Sequence, residues 1–297
     1  MIPDSVLAAA RTRLTAALAL APPAGKYRPL RIERDIVGWL DPARMACLAD
    51  HADVFEVQAE GVQFAAGVAS PGARTEALGR VAAALAADRL LTAWRDERYP
   101  VARGFGVAPL FLLERAAARF FGIHTYAAHV NGLVRRGDQA SMWVARRSKD
   151  KAIDPGLLDN LVGGGIAAGQ SVAGTVIKEA WEEAGIPATV AALARPAGAV
   201  HICREPPDGL QRETILVHDL WLPVDFTPAC QDGEVLDYRL VTLTEAARLI
   251  GNEEGPDVVT ADASLVILDC LLRHGAIAPD APEYLALERL RHPIPTP

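Results

Sequence analysis

The sequence is poor in cysteine, and its four cysteines lie far apart. Cys47, Cys203, Cys230 and Cys270 include no C-x-x-C pair among the 297 residues. That spacing fits neither a disulfide framework nor a cysteine-ligated zinc site, and it is typical of a protein from a reducing compartment. We therefore expect a cytoplasmic protein.

Long apolar runs are also absent. No stretch reaches the roughly 18 residues that a membrane-spanning helix needs, so we expect no membrane partner. In the segment "TRLTAALALAPPA", arginine is followed by an apolar stretch and then by small residues, as in a signal peptide. The segment is also compatible with an amphipathic helix that ends at Pro22-Pro23. Asp4 and the shortness of the run favour the helix.

An excess of positive charge is missing as well. The formal net charge is −7, which argues against a protein that coats nucleic acid but allows a small anionic substrate in a local basic pocket. The composition is that of a globular protein, with 51% hydrophobic and 23% charged residues. The length favours two domains over one, and the sequence does not fix the oligomeric state, so a homodimer is left open.

The first part of the chain mixes helix and strand patterns. Residues 27–40 predict a strand and a turn, and "FEVQAEGVQFAAG" predicts a hairpin centred on Glu60-Gly61. Apolar residues at helical spacing predict helices over 74–91 and 108–122. We therefore expect a smaller α+β N-terminal domain over residues 1–122.

Strand patterns dominate the centre of the remaining chain, and helix patterns flank them. The predicted strands are 124–137, 141–148, 198–205, 213–222 and 234–243, and the predicted helices that follow are 244–250, 260–273 and 282–291. This order predicts an α/β domain over residues 123–297, with a mixed sheet between helical layers.

The segment "GGGIAAGQSVAGTVIKEAWEEAGIP", residues 163–187, carries the strongest functional pattern. It predicts a helix with Ser171 as its N-cap and Gly185 as its C-cap. On a helical wheel, one set of side chains forms an apolar face and the carboxylates of Glu179, Glu182 and Glu183 lie opposite. The apolar face consists of Ala173, Ile177, Ala180, Trp181 and Ala184.

Two interpretations of these carboxylates compete. A solvated acidic face is the commoner one, because repulsion between like charges at this spacing costs only a few tenths of a kcal/mol per pair. The glycines that precede the helix favour a binding site, since they allow the backbone to approach a ligand closely. Mg²⁺ prefers oxygen ligands and phosphate oxygens. A carboxylate cluster beside a glycine-rich loop is therefore typical of a metal–diphosphate site.

The segment resembles the Nudix box, in which a glycine, five residues, a glutamate and seven residues precede R-E-U-x-E-E-x-G-U, where U is aliphatic. Gly164 matches the first glycine, and Glu179, Ala180, Glu182, Glu183, Gly185 and Ile186 match the end of the motif. Gln170 replaces the first glutamate and Lys178 replaces the arginine. Lys178 keeps the charge but lacks the planar fork of arginine.

The likeness extends beyond the box. "WRDERYPV", "ERAAARFFGIHTYAAHVNGLV", "LDNLVGGGIAAG" and "LWLPVDFTPACQDGEV" are similar to a Nudix subgroup that occurs alone or fused to thiamine pyrophosphokinase. The resemblance implies a Nudix α/β/α sandwich and Mg²⁺- or Mn²⁺-dependent hydrolysis of thiamine diphosphate or its damaged analogues to a monophosphate. A non-catalytic ligand-binding module and a hydrolase of nucleoside diphosphate derivatives are the alternatives.

The resemblance also implies roles for single residues. Glu179, Glu182 and Glu183 would bind the metal, and Lys178 would orient them. The base that takes a proton from water would be a box glutamate or a later acid, for which Glu234 is the candidate, although its position also fits a turn residue before a strand. The remaining candidates for contact with a small-molecule diphosphate are Gly164, Gly165, Lys151, Arg147 and Arg146. The three basic residues are also compatible with a solvated strand end, and the phosphate role is favoured for Lys151.

Other polar and aromatic residues lie on the strands around the box. Strand alternation would turn Glu213 and Asp219 toward the cleft. His129 and His218 are expected as residues of the sheet. Trp143 and Trp221 are more often core residues than substrate stackers.

Three other enzyme classes find little support. Gly163-x-Gly165-x-x-Ala168 is a weak dinucleotide-binding pattern, but the helix begins too late and its acids lie within it. Isopentenyl diphosphate isomerase needs a cysteine and a histidine set that cannot be placed in this sequence. No G-x-S-x-G elbow supports a serine hydrolase.

Overall fold

The structure, a computed structural model, describes residues 2–18 and 25–291. The predicted N-terminal helix is present over Asp4–Ala17, while its predicted stop at Pro22-Pro23 lies outside the described residues. The helices are α1 (Asp4–Ala17), α2 (Pro42–Leu48), α3 (Pro71–Ala87), α4 (Val172–Ala184), α5 (Ala188–Ala191), α6 (Leu243–Leu249), α7 (Ala261–Arg273) and α8 (Tyr284–Arg291).

The strands group into three sheets. In chain order they are β1 (Arg28–Ile32), β2 (Asp35–Leu40), β3 (Phe55–Gln58), β4 (Gly61–Phe64), β5 (Arg98–Val101), β6 (Phe111–Glu114), β7 (His124–Arg136), β8 (Gln139–Arg147), β9 (Leu158–Asn160), β10 (Val162–Gly165), β11 (Arg195–Arg204), β12 (Gln211–Trp221) and β13 (Val235–Thr242).

The N-terminal part has its own hydrophobic core. A four-stranded sheet in the order β2-β1-β4-β3 contributes Leu30, Leu40 and Val62 to that core, and α3 contributes Leu78. The predicted hairpin at Glu60-Gly61 is confirmed, because β3 and β4 pair on either side of it. A two-stranded sheet, β5-β6, completes the α+β arrangement.

The predicted helix over 108–122 is wrong. Phe111–Glu114 is strand β6, which pairs with β5, and a 3-10 turn at Arg115–Ala117 follows it. Phe111 and Leu113 alternate into the core, and this alternation with strand pairing overrides the helix propensity of the nearby alanines. The Glu114 side chain accepts a hydrogen bond from the N–H of Ala116 and stabilises the turn.

The central sheet has seven strands and is mixed, as predicted. Its main path runs β11-β12-β7-β8-β13, with β10 paired to β7 and β9 paired to β8. Strand β7 is parallel to β12 and antiparallel to β8 and β10. The N-terminal half of β7 pairs with β10 and its C-terminal half pairs with β8, so the glycines of β10 lie at a sheet edge.

Helices cover both faces of this sheet. Ala128 and Val130 of β7 pack in one core with Val176 and Ala180 of α4. Residues of β7 whose side chains point to the other face of the sheet, such as Ala127, pack in a second core with α6, α7 and α8. The predicted α/β/α sandwich is therefore confirmed, and the described part of the chain has no helix long and apolar enough to cross a membrane.

Helix α1 packs away from the N-terminal core. Leu7, Ala10 and Leu14 are buried in the same core as α6, α7 and α8. The division at residue 122 remains a prediction. Although α1 precedes this boundary in the chain, it packs against the helices of the C-terminal α/β/α sandwich.

Candidate active site

The box helix α4 begins and ends as its sequence predicts. The Ser171 side chain accepts a hydrogen bond from the N–H of Gly174 at 3.0 Å. Gly185 has φ of 64° and ends the helix in the left-handed conformation that favours glycine. These two caps fix where α4 begins and ends.

The buried face of α4 differs from the predicted one. Trp181 is 51% exposed, whereas Glu183 is only 7% exposed and lies with Val176 and Ala180 on the buried side. The helical wheel alone grouped Glu183 with the exposed carboxylates. A hydrogen bond from the sheet edge explains the difference, because it gives the buried Glu183 carboxylate a partner.

That partner is the backbone of β10. The N–H of Gly163 donates to Oε2 of Glu183 at 2.8 Å, and Nζ of Lys151 lies 4.0 Å from Oε1. Burial raises the pKa of Glu183 above its usual range, although Lys151 and the Gly163 N–H oppose the rise. The charge of the buried Glu183 carboxylate is therefore only partly compensated by these two partners.

Glu179 and Glu182 are joined by Lys178. The Lys178 ammonium donates to Oε1 of Glu179 at 3.1 Å and to Oε2 of Glu182 at 2.6 Å. Partial burial lowers the pKa of Lys178, but these hydrogen bonds outweigh it and raise the pKa to about 12. Burial also raises the pKa of Glu179, against the pull of Lys178. The lysine at the arginine position thus holds both carboxylates.

The glycines of β10 allow side chains to approach the strand from both faces. A Cβ at Gly164 would overlap the carboxylate of Glu179, and a Cβ at Gly165 would overlap the hydroxyl of Tyr99. Glu179 and Glu183, one turn apart on α4, therefore both lie against the same short strand. Two of the three glutamates predicted to bind a metal, Glu179 and Glu183, thus both contact β10.

The three basic residues predicted near the end of β8 have different roles. Lys151 pairs with Glu234, which also accepts a hydrogen bond from Nη1 of Arg95 at 2.8 Å. Arg147 lines the site, but its guanidinium is bonded to Asp159 and to backbone carbonyls. Arg146 is bonded to Asp257 and to carbonyls outside the site. Lys151 is therefore the cation of this segment that faces the box.

A cavity of about 400 Å³ lies between the box, the central sheet and the N-terminal part. Gly164, Gly165, Lys151, Arg147, Lys178, Glu179, Glu182 and Glu234 all line it, whereas Glu183 lies behind the β10 edge. The structure therefore brings the predicted site residues other than Glu183 together around one cavity. A volume of this size suits a small organic molecule.

The N-terminal part supplies residues that sequence reasoning missed. Tyr99 of β5 and Arg115 of the 3-10 turn line the cavity. The guanidinium of Arg115 donates to Oε2 of Glu97 at 2.7 Å and lies 5.6 Å from the centroid of the Tyr99 ring. No sequence motif identifies Tyr99 or Arg115 as site residues. The wrong helix prediction over 108–122 also placed Arg115 within a helix, whereas it lies in the 3-10 turn after β6.

The other polar and aromatic residues singled out on the strands lie partly at the cavity and partly elsewhere in the sheet. Glu213 lines the cavity, as alternation predicted, and His129 lines it as well as being a residue of the sheet. Asp219 does not line it. Trp143 is half-buried against the α4 core, whereas Trp221 is 38% exposed beneath the guanidinium of Arg135, so the core prediction for Trp221 is wrong.

Asp219 belongs to a separate polar network. Among residues 2–18 and 25–291, Asp219, Cys270 and His274 form the group whose metal-type ligand atoms all lie within 4.8 Å of one another. Both Asp219 oxygens already pair with Arg273, and His274 lies 2.8 Å away. Burial raises the pKa of the Cys270 thiol, which opposes the thiolate form. This group is therefore an ion-pair network of the fold.

Comparison with known proteins matches both parts of the chain. The family model of a domain of unknown function, DUF4743, matches residues 14–125, and that of the NUDIX domain matches residues 125–262. Nudix hydrolase 20, chloroplastic, from Arabidopsis thaliana is 37% identical over 278 residues, which cover 90% of this chain and 74% of that protein.

A second plant relative is equally similar. Nudix hydrolase 24, chloroplastic, from Arabidopsis thaliana is 38% identical over 267 residues, covering 89% of this chain and 72% of that protein. Among solved structures, the MutT protein of Methanosarcina mazei Go1 is 20% identical, with a TM-score of 0.38 over 52% of this chain and 96% of that one. The two plant relatives, whose similarity covers about nine tenths of this chain, show that the chain belongs to the Nudix hydrolase family.

Proposed function

We propose that this Nudix hydrolase cleaves the diphosphate of a small organic diphosphate and releases a monophosphate, with thiamine diphosphate or its damaged analogues as the substrates. One observation carries the proposal. The box carboxylate Glu179 shares a cavity with three cationic groups, Lys151, Lys178 and Arg115. Anionic phosphate oxygens require such cations, while the adjacent carboxylates suit a divalent ion.

The box carboxylates supply the oxygen donors that Mg²⁺ or Mn²⁺ prefers, although in the described part of the chain the donor atoms of Glu179, Glu182 and Glu183 are not all within 4.8 Å of one another. Glu179, Glu182 and Glu183 would hold the ion, and all their donor atoms are the oxygens that hard cations prefer. Burial raises the pKa of Glu179 and of Glu183, which supports a site where a cation would offset the carboxylate charge. When bound, the ion would screen the diphosphate charge and activate a water.

The protein's own side chains have separable tasks. Lys151, from the loop after β8, and Arg115, from the N-terminal domain, both line the cavity and bind phosphate oxygens. Lys178 positions Glu179 and Glu182 through its two hydrogen bonds. Glu234 is the proposed acceptor of the water proton, because it lines the same cavity as Glu179, where Lys151 and Arg95 hold its carboxylate.

Phosphate release tests this proposal. The purified chain is incubated with Mg²⁺ and with thiamine, oxothiamine and nucleoside diphosphates in parallel, and Glu183→Gln serves as the matched variant. We expect release from thiamine-type diphosphates and a loss of about 100-fold or more in the variant. Equal product from Glu183→Gln would remove the box from the mechanism. The absence of turnover with every diphosphate would favour a non-catalytic binding module.

A further inference from the structure

Tyr99 of strand β5 reaches the cavity from the N-terminal domain. It is only 6% exposed, and it lines the cavity together with Glu179 and Lys151. Its hydroxyl lies against Gly165 of β10, where an added Cβ would overlap it. The neighbouring residue of that strand, Gly164, lies against the carboxylate of Glu179 in the same way. The phenol therefore ends beside the strand that also contacts the box helix.

Backbone contacts hold β5 in this position. The N–H of Ala168, in the loop between β10 and α4, donates to the carbonyl oxygen of Arg98 at 2.8 Å. On the neighbouring strand β6, Tyr99 pairs with Leu113, which is buried in the core of the N-terminal domain. The backbone that carries Tyr99 is thus held between the loop that leads into the box helix and the N-terminal core.

The Tyr99 hydroxyl has no hydrogen-bond partner within residues 2–18 and 25–291. A buried tyrosine hydroxyl normally has one, because an unsatisfied polar group in the interior costs free energy. Two other tyrosines follow that rule. Tyr27 donates to Oε1 of Glu205 at 2.5 Å, and Tyr238 donates to the carbonyl oxygen of Glu183. The partner of Tyr99 is therefore expected from a molecule that enters the cavity.

The phenol of Tyr99 is a hydrogen-bond donor at neutral pH. Burial raises its pKa, and nearby glutamates, among them Glu179, add to the rise against the opposing charge of Arg115. The guanidinium of Arg115 lies 5.6 Å from the centroid of the ring. Because a hydroxyl donates its strongest hydrogen bonds to ionised oxygens, an anionic group of the ligand is the acceptor that suits this position best.

We propose that the Tyr99 hydroxyl donates a hydrogen bond to a phosphate oxygen of the bound substrate, so that the N-terminal domain completes the diphosphate site. The inference rests on the proposed function for the identity of the acceptor. Lys151 and Arg115 supply positive charge to the cavity, and Tyr99 adds a neutral donor. A role in packing alone would need only the ring, and this difference makes the proposal testable.

Tyr99→Phe removes the hydroxyl and keeps the ring beside Arg115. Binding of methylenediphosphonate, a diphosphate mimic that is not hydrolysed, is measured by calorimetry in the presence of Mg²⁺. The variant should bind about 10-fold or more weakly than the wild type, because it loses a hydrogen bond to an ionised oxygen. Tyr284→Phe, on α8 against the core on the other face of the sheet, should bind like the wild type. Equal affinity of the wild type and Tyr99→Phe, or no binding by the wild type, would overturn the proposal.

Urea denaturation of the free protein distinguishes a ligand contact from a contact within the chain. Because the Tyr99 hydroxyl has no partner in the described part of the free chain, Tyr99→Phe should unfold at a urea concentration no lower than the wild type. A structural hydrogen bond would be lost with the hydroxyl, and the midpoint would fall. A lower midpoint would therefore place the partner within the chain and overturn the proposal.

Hydrolysis, measured alongside binding, separates this inference from the proposed function. Tyr99→Phe should lower kcat/KM for a diphosphate about 10-fold. If no diphosphate is hydrolysed but Tyr99→Phe binds the mimic more weakly than the wild type, the hydrolytic proposal fails and the Tyr99 contact stands. If hydrolysis depends on Glu183 but Tyr99→Phe binds and hydrolyses like the wild type, the Tyr99 contact fails and the hydrolytic proposal stands.

Discussion

The backbone N–H of Gly163 donates a 2.8 Å hydrogen bond to Oε2 of Glu183, and this contact joins the box helix to the edge strand of the sheet. The orientation of Glu183 is therefore set by two elements, α4 and β10. Glu179 lies against the next residue of the same strand, Gly164. The geometry of the acidic site thus depends on the glycines of β10 as much as on the glutamates themselves.

Gly164→Ala should lower activity while the fold is retained. The new Cβ would overlap the Glu179 carboxylate, and the backbone of Gly164 is not in the left-handed region, so the effect is steric and local. We expect kcat/KM for diphosphate hydrolysis to fall about 10-fold or more.

The control for this variant is Gly79→Ala on α3, where an added Cβ meets nothing within 4 Å. That substitution should leave activity unchanged and raise stability by about 0.5–1 kcal/mol, because alanine is the better helix former. Wild-type activity in Gly164→Ala would contradict the close packing of Glu179 on β10.

Arg115→Gln tests the contribution of the N-terminal domain. The guanidinium lies in the cavity, and its loss should weaken phosphate binding, so KM should rise about 10-fold with a smaller change in kcat. The measurement is steady-state hydrolysis at several substrate concentrations. Arg34→Gln, at an exposed position of the same domain, should behave like the wild type. An unchanged KM in Arg115→Gln would exclude Arg115 from substrate binding.

Lys178 is expected to act by holding its two glutamate partners. Lys178→Met removes both hydrogen bonds and should reduce kcat about 10-fold, because Glu179 and Glu182 then repel each other without a cation between them. Lys178→Arg restores a cation with a planar fork and should keep most of the activity. The comparison of kcat between the two variants is the measurement, and similar losses in both would contradict a positioning role.

The local pattern of the sequence predicts the box helix and the long strand β7 well. Ser171 and Gly185 mark the ends of α4 because capping depends on the residues at the helix ends themselves. The burial of Glu183 could not be predicted from a wheel, since it depends on a backbone N–H of β10 twenty residues away in the chain. Tyr99 and Arg115 could not be placed because their contacts with the site come from a separate domain.

The Asp219 network predicts a pH dependence of stability. Burial raises the pKa of Asp219, but hydrogen bonds from His274, Arg273 and Asn131 outweigh it and hold the pKa below its usual value of 3.8. A carboxyl whose folded pKa is depressed contributes stability above its unfolded pKa, and this contribution is lost as the pH falls through the folded pKa. The network should therefore stabilise the fold at neutral pH and weaken progressively below about pH 4.

Asp219→Asn should lower the free energy of unfolding at pH 7 by about 1–3 kcal/mol, measured by urea denaturation. Because the variant has no carboxylate to protonate there, its stability should fall less than that of the wild type between pH 6 and pH 3. Asp225→Asn is the exposed control. Parallel stability curves for wild type and Asp219→Asn would contradict the assignment of this network.

Binding of Mn²⁺, followed by electron paramagnetic resonance, tests most directly whether the acidic side of α4 is a divalent-ion site. The wild-type chain is compared with the double variant Glu179→Gln/Glu183→Gln, and with Asp219→Asn as the control for the other acidic cluster. We predict that the double variant binds Mn²⁺ at least about 10-fold more weakly than the wild type, while Asp219→Asn binds it normally. Equal Mn²⁺ affinity in the wild type and the double variant would contradict the account.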